Sequence, residues 1–257
     1  MISPSKIRVV EVSKKLKEIG NKATGKRFEK YHKGAYQSHG VYSKDLDAFF
    51  AKEFERNNEL EKELALSFFE SNFLEEKMIG VNLWNFGDEA IRTEVFENNL
   101  IKGWAICDGI CGRVLRKLVH SDESARNRIA SWGKDATSLW TVRASCVAFI
   151  TTTKQKNCRA PAMKALSYAI NDSKFANERF VQLGAGWLLR EIGQHEKATF
   201  NSFLRENLAS FSSEGLRYAI EKLPSSERHK WMDKRKSIVA EQLTSKKKIN
   251  LGNKCEE

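Results

Sequence analysis

Phe180-Val181-Gln182-Leu183-Gly184-Ala185-Gly186-Trp187-Leu188-Leu189-Arg190-Glu191-Ile192 is the stretch whose reading decides the fold. Val181, Ala185, Leu188 and Ile192 recur at i, i+4, i+7 and i+11, the spacing of one apolar helix face, and belong against a core. Leu183, Trp187 and Arg190 fall on an adjoining stripe of the same helix. The small residues Gly184, Ala185 and Gly186 leave room for a second backbone, of protein or of nucleic acid, to come close. Periodicity alone makes a helical tryptophan a core residue more often than a binding one.

Leu100 to Leu118 repeats the pattern. Ile106, Ile110, Val114 and Leu118 form a core stripe, and Trp104, Asp108, Cys111 and Leu115 form a second. Trp104 and Asp108, four residues apart, share one face. An aspartate in mid-helix is unfavourable by propensity, so something tertiary must compensate. An ion pair with Arg113, Arg116 or Arg143 would do so, and a chemical role for the carboxylate would justify it otherwise.

Outward from these segments the chain reads as helix after helix with no convincing strand. The periodicity predicts helices near 7–19, 44–56, 58–70, 73–84, 87–97, 100–118, 122–131, 136–151, 159–170, 175–192, 196–208, 213–222 and 225–242. Ser43, Asn58, Ser121, Asn171 or Asp172, and Ser212 or Ser213 are the candidate caps. Short connections and Trp104, Trp140 and Trp187 at intervals of 36 and 47 residues fit an α-solenoid of HEAT-like helix pairs. In such a stack the inner helices line a concave surface. A globular helical bundle is the alternative. Residues 1–242 are read as one domain and 243–257 as a disordered polar basic tail.

Composition agrees with an all-α class: among 257 residues there are three prolines and fifteen glycines, few for strands joined by frequent turns. No apolar run reaches a membrane-spanning length, and Met1 to Arg8 lacks the apolar core of a signal peptide, so a cytoplasmic location is expected. Five cysteines and five histidines show no metal-ligand spacing and read as structural thiols and scattered surface or loop histidines. No metal or other cofactor is expected. The formal net charge of +11 is uneven: residues 1–50 carry +6, residues 51–100 carry −7, and residues 101–257 carry +12. The acidic block, with Glu53, Glu55, Glu59, Glu61, Glu63, Glu70, Glu75 and Glu76, is expected to form solvated faces. The basic balance suits a phosphate backbone as partner.

Taken together, Phe180-Val181-Gln182-x-x-x-Gly186-Trp187-x-Leu189-Arg190-Glu191, Trp104-x-x-x-Asp108 and Trp140-x-x-Arg143 resemble the AlkD-type DNA alkylation repair family, bacterial DNA glycosylases built of HEAT-like repeats. The similarity runs from about Arg27 to Leu223. The resemblance implies a catalytic carboxylate at Asp108, lesion-contacting tryptophans at Trp104 and Trp187, and a DNA-backbone contact at Arg143. It also implies a lesion-contacting aromatic at Tyr31, in Tyr31-His32-Lys33-x-x-Tyr36, and with it Arg190 is read as DNA-binding. The implied partner is double-stranded DNA containing alkylated purines, met by a monomer. Leu183, where relatives often carry a polar residue, and Gly109 to Gly112 depart from the pattern and bear on substrate preference. A non-catalytic DNA-structure-binding relative and a protein-binding scaffold are the other function classes.

Overall fold

The computed structural model describes residues 3–54 and 61–252. Fifteen α-helices are found in that part of the chain: α1 (Pro4–Ile19), α2 (Lys22–Tyr31), α3 (Ser43–Glu53), α4 (Glu61–Glu70), α5 (Leu74–Leu83), α6 (Gly87–Ile91), α7 (Trp104–Ile110), α8 (Arg116–Ser121), α9 (Glu123–Ser131), α10 (Leu139–Val147), α11 (Lys156–Ser167), α12 (Arg179–Gly193), α13 (Lys197–Asn207), α14 (Ser213–Ala219) and α15 (Ser225–Gly252). No strand occurs among the described residues; a single parallel bridge joins Gln37 to Phe73.

The helices form an all-α solenoid. In one row α5 packs on α7, α7 on α10, α10 on α12, and α12 on α14; behind it α9 packs on α11, and α11 and α13 on α12. This alternation is what puts Trp104, Trp140 and Trp187 on successive members of the first row. The buried apolar side chains make one cluster from Val12 to Ile220, with Phe68, Phe69, Phe96, Trp132, Phe149 and Phe211 fully enclosed. Burial of each such side chain stabilises the fold by ~1.5–3 kcal/mol. The expected stripes are present: Val181, Ala185, Leu188 and Ile192 on α12, and Ile106, Ile110 and Val114 on and just after α7, are buried.

Several expectations need correction. The α2 helix was not anticipated because its sequence offers no apolar stripe; only Gly25 is buried, and Asn21 starts the helix by accepting from the Thr24 amide at 3.0 Å. Ser212 caps α14 as expected, whereas Asp122 rather than Ser121 caps α9, and Asn171 and Asp172 end a helix rather than begin one. Asn58 lies outside the described residues. The last helix does not stop at 242: with no proline or glycine between Ser225 and Gly252, nothing in the sequence interrupts it, and it continues to Gly252. Residues 253–257 of the expected tail lie outside the described residues.

Glu75 and Glu76 are buried rather than solvated. The Glu75 carboxylate accepts from the backbone amides of His39, Gly40 and Val41 at 3.0–3.1 Å and from the Ser38 hydroxyl at 2.6 Å. Glu76 meets the His39 ring at 2.7 Å and the Ser71 hydroxyl at 2.5 Å. These carboxylates replace lost water with hydrogen-bond donors, which is what makes their burial tolerable. Together they fasten the segment after α2 to the start of α5. Glu53 is mostly covered by Arg8 and Lys15, and Glu55 and Glu59 lie outside the described residues.

Candidate active site

The first row of helices turns one wall of the molecule into a cleft of about 1460 Å³. Its lining begins at Tyr31, at the end of α2, and ends at Lys236 on α15, with α7, α10, α12 and α14 contributing between them. Asp108 lies on its floor. The helix that carries Asp108 is held against α10 by two small thiols: Cys107 Sγ donates to the Trp140 carbonyl at 3.5 Å and Cys111 Sγ to the Ala144 carbonyl at 3.7 Å. Burial pushes the Cys111 thiol well above its ordinary range, so it stays protonated as that donor role requires. This close approach sets Asp108 opposite Arg143. The helix widens into a π-type turn at Cys111–Leu115, immediately after the aspartate's own turn.

Of the ion-pair partners considered for Asp108, the structure selects Arg143. Arg143 Nε donates to Oδ1 and Nη2 to Oδ2, each at 2.9 Å, while Nη1 donates to the Phe180 carbonyl at 2.8 Å. Arg113 turns the other way, to Asp47 and Asn82. The Asp108 side chain is 18% exposed and that of Arg143 only 6%. Burial alone would depress the Arg143 pKa, but the hydrogen bonds and charge of Asp108 outweigh it and raise the value, so the guanidinium stays charged. An Arg fork on a carboxylate fixes orientation as well as charge.

Arg143 lines the cleft, as a DNA-backbone contact would require, but its first partner is Asp108. Its guanidinium is buried and clamps Asp108 first. A guanidinium has five N–H groups, and three are engaged; one remains on each terminal nitrogen. Each carboxylate oxygen of Asp108 likewise keeps a lone-pair direction open beyond the arginine.

Aromatic rings flank the carboxylate. On one side Trp104 meets Tyr31 edge-on, with ring centroids 5.7 Å apart, and lies against His32 at 5.2 Å. Tyr31 is 65% exposed at the lip. The buried Tyr36 donates its hydroxyl to the Gly103 carbonyl at 3.0 Å and accepts from the Lys102 amide at 3.3 Å, fixing the start of α7. A Cβ at Gly103 would come within 3.1 Å of the Tyr36 ring, which accounts for glycine before Trp104. On the other side Trp187 meets Tyr218 edge-on at 6.4 Å. Trp140, by contrast, packs against Phe180 at 5.2 Å and does not line the cleft.

Arg190 stands apart from the cleft; its side chain is 13% exposed and bonds Glu191 at 2.9 Å and Glu221 at 2.5 Å. Its guanidinium carbon stands 4.9 Å from the Tyr218 ring centroid and 6.0 Å from that of Trp187. It therefore props the two rings from behind. The stripe shared with Trp187 was legible, but the carboxylates on either side of Arg190 come from its neighbour in sequence and from Glu221, just past the end of α14.

Asp108, Trp104, Trp187, Tyr31 and Arg143 are thus brought together and Arg190 is not. Reading the sequence missed His32, Tyr218 and the basic residues of the rims. A signal for His32 was at hand in its place between Tyr31 and Lys33. The cleft lining carries seven Lys and Arg against four Asp and Glu, so it attracts a polyanion while holding one carboxylate at its floor. Among the described residues no group of three His, Cys, Asp or Glu could hold a metal ion, and no helix is long and apolar enough to cross a membrane.

Comparison with known proteins adds three findings. Residues 12–223 match the family model described as DNA alkylation repair enzyme. A solved structure described as a predicted DNA alkylation repair enzyme from Enterococcus faecalis is similar with a TM-score of 0.66 and 15% identity, over 80% of this chain and 97% of that one. At that identity the likeness concerns the fold. No curated protein matches the chain.

Proposed function

The chain belongs to the DNA alkylation repair enzyme family, and on that premise we propose that it is a DNA glycosylase. The proposed reaction is hydrolysis of the N-glycosidic bond of cationic alkylated purines, N3-methyladenine and N7-methylguanine, in double-stranded DNA. The observation that carries this reading is a part-open carboxylate clamped by a buried arginine in a basic cleft that two tryptophans also line.

A purine alkylated at N3 or N7 is positively charged and so leaves readily. As the C1′–N bond breaks, its electron pair goes with the base, which becomes neutral, and the deoxyribose takes on oxocarbenium character. Asp108, fixed by Arg143, opposes that developing charge with an oriented negative one and can hold the water that attacks C1′ and gives up a proton. The products are the free base and an abasic site. The faces of Trp104 and Trp187 attract the cationic nucleotide before cleavage. Selectivity then follows lesion charge, so neutral lesions such as uracil stay in place.

One observation favours a second reading. Both Asp108 oxygens engage Arg143, as they would in a DNA-structure-binding relative where the aspartate serves only to position the arginine. Single-turnover incubation with methylated DNA, followed by chromatography of the released bases, separates the two. Release of methylpurines by the parent, reduced ~10²- to 10³-fold per folded molecule in Asp108→Asn, is expected of a glycosylase. Absence of release by the folded parent on DNA that it binds leaves the second reading.

A further inference from the structure

The family match ends at residue 223, and α15 begins at Ser225. Yet α15 supplies one wall of the cleft, through Arg228, His229, Met232, Asp233 and Lys236. Arg228, Met232 and Lys236 stand at i, i+4 and i+8, on a single face of the helix. The helix is seated along the adjoining stripe: Arg235 donates to the Phe211 carbonyl at 2.6 Å and to the Ser213 hydroxyl at 3.0 Å, and Trp231 and Ile238 pack against the core.

The cleft-facing cations are not tied up. Arg228 makes no side-chain hydrogen bond or ion pair among the described residues, and Lys236 makes only a loose contact with Asp233, 3.6 Å apart with both side chains exposed. Such a contact contributes little in water. Arg217, at the end of α14, adds a third exposed cation to the same wall. Across the cleft stand Lys33 and Lys102, so basic charge lines both rims with Asp108 between them.

We infer that α15 is a backbone-gripping rim for duplex DNA, lying beyond the part of the chain that matches the family. The inference rests on duplex DNA being the partner proposed above and adds the element that grips it. Eight residues of helix separate Arg228 from Lys236 by about 12 Å, the axial span of three to four phosphates of one strand at ~3.4 Å each. Met232 between them is partly buried against the core and anchors this face of the helix. A rim of this kind fixes position on the duplex and carries no base preference.

The test measures binding of undamaged duplex at several salt concentrations for the parent, Arg228→Gln/Lys236→Gln and Lys230→Gln/Lys234→Gln. The last pair removes equal charge from the opposite face of the same helix. Loss of two phosphate contacts should reduce the salt slope by about two units, equally for all sequences, in the first variant, with the second near the parent. Arg228→Gln alone should lose about one unit. A parental slope in Arg228→Gln/Lys236→Gln, or an equal loss in Lys230→Gln/Lys234→Gln, overturns the inference. Base release from methylated DNA is followed in parallel: release with a parental slope in the cleft-face variant sinks the rim alone, whereas slope loss without release by the parent sinks the glycosylase reading alone.

Discussion

Asp108 meets Arg143 fork to carboxylate, and which of the two is the more exposed decides what each can do. Removing one partner of a buried ion pair leaves the other charge unsatisfied, typically a cost of 3–5 kcal/mol. Arg143→Ala is therefore expected to lower the unfolding free energy by roughly 3 kcal/mol or more in urea titrations, besides any effect on DNA. Unchanged stability with lost DNA binding would return Arg143 to a purely phosphate-binding role. The tryptophans are expected to act on the lesion instead: Trp104→Leu or Trp187→Leu should slow release of 7-methylguanine by roughly 2- to 30-fold, from a cation–π contact of ~0.5–2 kcal/mol, with little change in binding to undamaged duplex. Slower unfolding-corrected rates are the measurement; if only stability falls, the rings are packing residues. Helical spacing put Trp104 and Asp108 on one face and Trp187 on a stripe beside the core, but their place in a site was legible only through the resemblance of the three motifs taken together. The Asp108–Arg143 pair was legible only as one of three candidates, and the partners of Arg190 were not, because spacing along one helix does not say which charge a neighbouring helix brings.

Between helices the controlling quantity is how closely backbones approach. On α12 a Cβ at Gly186 would lie 2.4 Å from the Gly215 carbonyl oxygen of α14, and one at Gly184 would lie 3.2 Å from Cγ of Arg143. The small residues before Trp187 were read as room for a second backbone, and the backbone is that of α14. Gly186→Ala should force α12 and α14 apart and cost ~1–3 kcal/mol, the usual range for overpacking. Because α14 carries Tyr218, the same variant should disturb the Trp187–Tyr218 contact, visible as a change in tryptophan fluorescence. A parental melting temperature would show that the crossing tolerates a methyl group. The α2 helix illustrates the opposite limit: lacking an apolar stripe, it is fixed by its cap and by what it docks on, neither of which periodicity reports.

For the whole molecule, the solenoid was legible in the recurrence of helix pairs and the basic cleft in the charge balance of the chain. What was not legible is how the acidic block is used, because Glu75 and Glu76 read as solvated until the loop amides and His39 that face them are known. This arrangement makes stability sensitive to acid in two stages. Burial, the larger influence, lowers the His32 pKa below 6.5 despite the nearby charge of Glu75. The unfolded chain therefore takes up a proton more readily, so the contribution is complete above pH 6.5 and is lost as pH falls through the folded value. For Glu76, burial pushes the pKa up, but hydrogen bonds from His39, Ser71 and Ser13 outweigh it and leave it below 4.5. Its contribution is present above pH 4.5 and is lost as pH falls through that lower folded value. Growing positive charge on an already basic chain adds self-repulsion as the carboxylates protonate. Urea unfolding of the parent, His32→Asn and Glu76→Gln across this range checks the assignment. The parent's advantage over His32→Asn should shrink as pH falls below about 6.5, and its advantage over Glu76→Gln only below about 4.5. If both differences stay constant with pH, neither group is linked to folding and the acid response belongs to net charge, which added salt would then relieve in full.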